Sequence, residues 1–244
     1  MRLSASLRYG LWLAVAGTAY RNRKEYGVPT AWLTHLVGNT ITLLLPEWLR
    51  LLQHLTAVTS MPGVEPVVRT LDQRVRHDPR YAGYVAPLAL GFVASHPSYS
   101  IYHGRWAERT ILGFGIDSLP HASAAYALAR LLSQTLLTLD AELPPHHSLA
   151  PLTRRAVPQV DLLAAAAVAL VTLVWEVSEY QAHQAELNAT GRDAAEINMQ
   201  WSWPDAITDS ISNLAGLLAA IMVRRRHQIS AQHSTPLSSD PISI

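Results

Sequence analysis

Three short stretches carry side chains able to do chemistry. Asp117 and His121 lie four residues apart, Glu176 and Glu179 three apart, and Asp205, Asp209 and Asn213 four apart in turn. Spacings of three and four put each set on one face of a helix. Carboxylates with one imidazole are donors that suit Mg, Mn or Zn. Several carboxylates brought together repel one another unless a cation neutralises them. A divalent metal held this way can polarise a phosphate and activate water, and the same groups without metal can pass protons. Asp117, His121, Glu176 and Asp209 are the candidate catalytic groups. The candidate metal ligands are these four with Glu179 and Asp205. Asn213 would orient them and Gly216 would let two helices approach closely.

Each acid also has a structural explanation. Asp117 ahead of Ser118-Leu119-Pro120 fits an N-cap with Pro in the first turn. Ser202-Trp203-Pro204-Asp205 fits a capping box. Glu179 suits a headgroup region. Asp209, Glu176 and His121 resist this reading more, because each lies about a turn inside an apolar run.

Those runs must position the site. The chain has 244 residues, 49% hydrophobic and only 15% charged. Soluble domains average about 25% charged residues, so the deficit points to a membrane protein. Mean hydropathy is +0.11, which leaves room for polar loops and a tail. A spanning helix needs about 20 mostly apolar residues. The clearest run is Asp161–Tyr180, in which Leu162 to Trp175 holds one polar residue, Thr172. Others are Asp205–Val223, Asp117–Leu139, Tyr81–His103 with Pro87 and Pro97, Val28–Leu45 ending at Pro46, and the short Gly10–Tyr20. The expected architecture is an all-α polytopic transmembrane bundle of five or six spans over residues 1–226, with a polar tail over 227–244. The first run is expected to stay as an anchor, lying in the interface or spanning thinly.

Arginine placement sets the orientation. With six spans, one side holds Arg2, Arg8, Arg50, Arg69, Arg74, Arg76, Arg80, Arg154, Arg155, Arg224, Arg225 and Arg226, twelve in all. The other holds Arg21, Arg23, Lys24, Arg105, Arg109 and Arg192, six in all. Both termini are therefore expected in the cytoplasm. The three acidic sets then fall at one level, near the extracytoplasmic surface. His35 and Asn39 lie near that level too, as do His96 and His103.

Other chemistry is excluded or unmarked. There are no cysteines, so disulfides, thiolate zinc sites and iron–sulfur clusters are out. A net charge of +1 gives no basic field for nucleic acid. No glycine-rich phosphate loop, Gly-x-Ser-x-Gly elbow or His-Glu-x-x-His sequence is present. Asn188-Ala189-Thr190 matches a glycosylation sequon.

The motifs Gly115-x-Asp117-x-x-x-His121, Trp175-Glu176-x-x-Glu179 and Asp205-x-x-x-Asp209-x-x-x-Asn213-x-x-Gly216 resemble the YjdF-like and VanZ-like families of small bacterial polytopic membrane proteins. The resemblance covers about residues 81–223. VanZ-like members carry Lys after the first Asp, where this chain has Ser118. The resemblance implies a helical membrane fold with a site in the same place, and an envelope role.

Three function classes stand open. One is a site, with or without a divalent metal, acting on a lipid-linked or envelope substrate. Another is a non-catalytic subunit of a larger membrane complex, including a pigment- or haem-binding variant through His35, His96 or His121. The third is a proton or ion carrier, in which Arg130 inside a span would take part. The lipid bilayer and membrane partner proteins are the expected partners.

Overall fold

The computed structural model describes residues 3–55, 64–77, 80–102, 106, 109–111, 113–116, 118–190, 197 and 200–233. It is mostly helical, as the all-α reading requires. The helices are α1 (Leu3–Tyr26), α2 (Leu33–Leu43), α3 (Leu45–His54), α4 (Val64–His77), α5 (Tyr81–Val93), α6 (Ser118–Glu142), α7 (Ala150–Ala156), α8 (Val160–Thr190) and α9 (Trp203–His233). Short 3-10 turns cover Pro29–Ala31 and Val157–Gln159. A two-residue ribbon pairs β1 (Thr110–Ile111) with β2 (Phe114–Gly115), and Gly113 takes the positive φ of 86° that its turn needs.

Two helices are long and apolar enough to cross a membrane, one within Ala150–Asn188 and one over Trp203–Gln228. At 31 residues each, α8 and α9 rise about 46 Å, against a hydrocarbon core of about 30 Å. The Ala164–Ala167 run and the leucines around it favour helix intrinsically. Asp161 sits in the first turn of α8, where the helix dipole favours an acid. The start of α9 follows the expected cap, with Asp205 N–H donating to Ser202 Oγ at 3.4 Å. Its end differs from expectation. The helix runs past Arg224–Arg226 to His233, so residues 227–233 are helix rather than tail.

Residues 118–139 fall within the 25-residue α6 and Gly10–Tyr20 within the 24-residue α1, but two other runs fold as helices shorter than a span. Over Val28–Leu45 the helix is only the 11 residues of α2, because Pro29 opens a 3-10 turn and Pro46 sits in the first turn of α3. Over Tyr81–His103 it is the 13 residues of α5, after which the chain turns through residues 94–99. These helices rise about 16 and 20 Å, too short to cross the core singly.

Two apolar clusters share α6. One gathers Val15, Leu43, Leu49, Val85, Ala89 and Phe92 from α1, α2, α3 and α5, with Leu131 of α6 packed against it. The other joins Ala125 and Ala129 of α6 to Ala164 and Val168 of α8 and Leu217 and Ala220 of α9. Small residues dominate the second cluster, so these three helix backbones approach closely. Arg130 is buried on the far side of α6 from His121, and its Nε has no hydrogen-bond partner among the described residues.

The first cluster is tied by an ion pair between buried Arg8 and half-buried Glu47. Arg8 donates to both carboxylate oxygens of Glu47, at 2.8 and 2.9 Å, and to the Leu43 carbonyl. Tyr9 Oη donates to Glu47 Oε1 at 2.7 Å. Burial opposes ionisation of Glu47, but the hydrogen bonds from Arg8 and Tyr9 outweigh it and hold the carboxyl below its ordinary range. A depressed folded value means this stability is present above the ordinary value of 4.5 and is lost as pH falls through the folded value. Glu47→Gln is expected to cost about 1–3 kcal/mol at neutral pH, less than a fully buried pair because Glu47 is partly exposed. Thermal melts at neutral and acid pH check this: the gap between wild type and variant must close on the acid side.

Candidate metal centre

Helix direction brings the acidic sets together. α6 and α9 run parallel, and α8 runs antiparallel to both. The register of α8 against α9 can be followed along its length. Asp161 Oδ1 accepts from Arg224 Nε at 3.0 Å, and Asp161 Oδ2 from Arg225 Nη2 at 2.9 Å. Eleven residues on, Thr172 Oγ1 accepts from Asn213 Nδ2 at 3.0 Å, Asn213 being eleven residues back from Arg224. Four further residues on each helix reach Glu176 and Asp209. The arginine clamp thus lies about 22 Å along the helix from the carboxylates, and both belong to one unbroken register.

At the carboxylate end, Glu176, Glu179 and Asp209 each offer a ligand oxygen, and these lie within 4.8 Å of one another. Two donors on opposite sides of one ion are separated by twice the bond length, about 4.2 Å for Mg and 5 Å for Ca. The spacing therefore suits a single cation. His121 reaches this group from α6, with Nε2 at 3.2 Å from Asp209 Oδ2. Asp209 is 4% exposed and joins the imidazole to the other two carboxylates. Glu176 Oε2 accepts from Trp201 Nε1 at 3.3 Å, while Oε1 has no hydrogen-bond partner among the described residues.

Gly216 fixes how closely α6 and α9 meet. A Cβ at that position would stand 1.9 Å from the Ala122 carbonyl oxygen. Only glycine lets the two backbones touch here, one residue beyond His121 and two turns below Asp209.

Not every expected residue joins the group. Asp117 lies outside the described residues, as does His103. Asp205 is not one of the three converging acids. Its N–H is engaged in the cap of α9, although its charge acts on Glu176. His35 stacks on Phe92 at 4.7 Å and meets the edge of Trp175 at 5.3 Å, bringing α2 against α8 beside the acids. Asn39 Nδ2 donates to the His35 carbonyl. His96 instead stacks on Tyr99 and accepts from the Ser98 N–H.

Other residues at the site carried weaker signals. Trp201 fits an aromatic belt, yet its indole holds Glu176, and its ring packs edge-on against Tyr180 and Trp203 at 5.1 and 5.2 Å. His183 Nδ1 accepts from the Trp201 N–H at 3.4 Å. His183 and the buried Glu186 continue the face of Thr172, Glu176 and Glu179 at steps of four, three, four and three. That spacing is visible in the sequence, but it runs beyond the apolar stretch that ends at Tyr180.

No protein-family model, curated protein or solved structure matches the chain.

Proposed function

We propose that the chain is an integral membrane protein that holds a divalent cation through Glu176, Glu179 and Asp209. The observation that carries this is the convergence of three carboxylates from two span-length helices, with His121 joined to them through Asp209. Three acids this close, in a site flanked by apolar helix, repel one another unless positive charge is supplied. The lipid-like exposure of α8 supports the membrane reading: Leu162, Leu170 and Leu173 each stay more than 60% exposed. The basic cluster Arg224–Arg226 at the other end of α9 supports an extracytoplasmic position for the site.

The resemblance to YjdF-like and VanZ-like proteins, carried by His121, Glu176, Glu179, Asp209, Asn213 and Gly216, directs the substrate search to the cell envelope. A lipid-linked phosphate is the substrate class that suits a hard cation at a membrane surface, where the cation would act as Lewis acid. In that chemistry Asp209 would orient His121 through Nε2, leaving Nδ1 as the ring nitrogen to move a proton. The Trp201 indole fixes Glu176.

The experiment is phosphate release from lipid-linked phosphates by purified protein supplied with Mg or Mn. Wild type is expected to show metal-dependent turnover, and Glu176→Gln to lose it at least a hundredfold while remaining monodisperse. The exposed Trp203, 72% accessible, favours a second reading as a subunit of a membrane complex. Loss of assembly in Glu176→Gln, with no turnover in wild type under any metal, would favour that subunit.

A further inference from the structure

The end of α8 and α9 opposite the carboxylates is basic. Arg224 and Arg225 both fork onto Asp161, which saturates that acid. Just before α8 lies the seven-residue α7. Its Ala150 and Thr153 are buried, and Thr153 Oγ1 donates to Asp140 Oδ1 at 3.1 Å, which pins α7 to the end of α6. The other side of α7 is exposed and carries two kinds of side chain. Leu149 and Leu152 are apolar and exposed, Leu152 to 63%. Arg154 and Arg155 are exposed, and neither makes a hydrogen bond or ion pair among the described residues.

We propose that α7 is a docking site for the phosphate of an anionic phospholipid, with Arg154 and Arg155 as its ligands and Leu149 and Leu152 among the acyl chains. This rests on the membrane reading above. Charge decides the partner. Five arginines gather at this end, at 154, 155 and 224–226, against Asp140, Glu142 and Asp161. Asp161 is already shared by two of them. The planar guanidinium forks match phosphate oxygens. Exposed leucines beside those forks, on an element that leads directly into a span-length helix, place the pair at headgroup depth. The whole chain carries only +1, so no wider basic face extends this patch towards nucleic acid.

The test uses the full chain in phosphatidylcholine nanodiscs doped with a minor fraction of phosphatidylglycerol. The protein is re-extracted in mild detergent, and the ratio of the two lipids retained is read by mass spectrometry. Wild type is expected to enrich phosphatidylglycerol about tenfold over the bulk ratio. Arg154→Gln with Arg155→Gln should return the ratio to bulk, and the paired Lys variants should keep part of it. Soluble glycerol phosphate should displace nothing, which separates a lipid site from a free-phosphate site. Enrichment that survives in the Gln pair, or a bulk ratio in wild type, overturns the inference while the membrane reading stands. Failure of wild type to enter the nanodiscs overturns both.

Discussion

Gly216→Val is expected to separate α6 from α9 and leave little folded protein. The first carbon added at Gly216 meets the Ala122 carbonyl oxygen at 1.9 Å, its carbon at 2.8 Å and its Cα at 3.1 Å. All three are backbone atoms, so no rotamer change relieves the contact, and α9 must move away by more than 1 Å to reach even a 3.0 Å approach. Close-packed interiors do not absorb such shifts cheaply, and overpacking of this kind costs about 3 kcal/mol or more. The shift also opens two contacts above it on α9, Asn213 to Thr172 and Asp209 to His121. Helix propensity alone predicts the opposite sign, since replacing a helical Gly gains up to about 1 kcal/mol. Gly10 lies inside α1 with nothing within 4 Å of a built Cβ, so it isolates that term. Gly10→Ala should therefore hold or raise the melting temperature, whereas Gly216→Ala should already lower it and Gly216→Val should abolish the cooperative transition. A Gly216→Val protein that melts like wild type would mean that α6 and α9 do not meet at Ala122.

Asp209→Asn should abolish stabilisation by divalent cations. Asp209 is the acid shared by the His121 contact and the three-carboxylate group, and it is buried. Its loss removes one formal charge and one ligand, for which a hundredfold fall in affinity is a fair order of magnitude, comparable to the upper effect of losing a supporting residue around a metal. A ligand at a hundred times its Kd stabilises the folded state by about 2.7 kcal/mol, and after a hundredfold weakening by about 0.4 kcal/mol. For a chain of this size that is a melting shift of about 5–10 °C in wild type against about 1 °C in the variant. Melts with and without Mn in detergent read this directly. Equal shifts in the two proteins would place any bound cation elsewhere.

The acids themselves were legible. Glu176, Glu179, Asp209 and His121 stand at helical spacing at the ends of apolar runs, and an antiparallel hairpin of α8 and α9 puts those ends at one level. Gly216 was legible as a point of close packing because it continues the Asp205, Asp209, Asn213 face. Less legible was where each helix stops. Hydropathy passes smoothly from Val28 to Leu45, but Pro29 and Pro46 impose local geometry that cuts the helix to α2. Conversely, Arg224–Arg226 looked like a terminus, yet Arg224 and Arg225 turn back to Asp161 and the helix continues to His233. Asp205 shares the face of Asp209, and its backbone N–H donates to Ser202 Oγ. The part played by Trp201 needed the tertiary fold, because nothing in a sequence tells a belt indole from one that donates to a carboxylate 25 residues away.

The most direct test is the metal content of gently solubilised, purified wild-type protein beside Asp209→Asn. The account predicts about one divalent ion per chain in wild type and none in the variant, with helix content equal in both. A well-folded wild type that retains no divalent ion after incubation with Mg, Mn or Zn would contradict it.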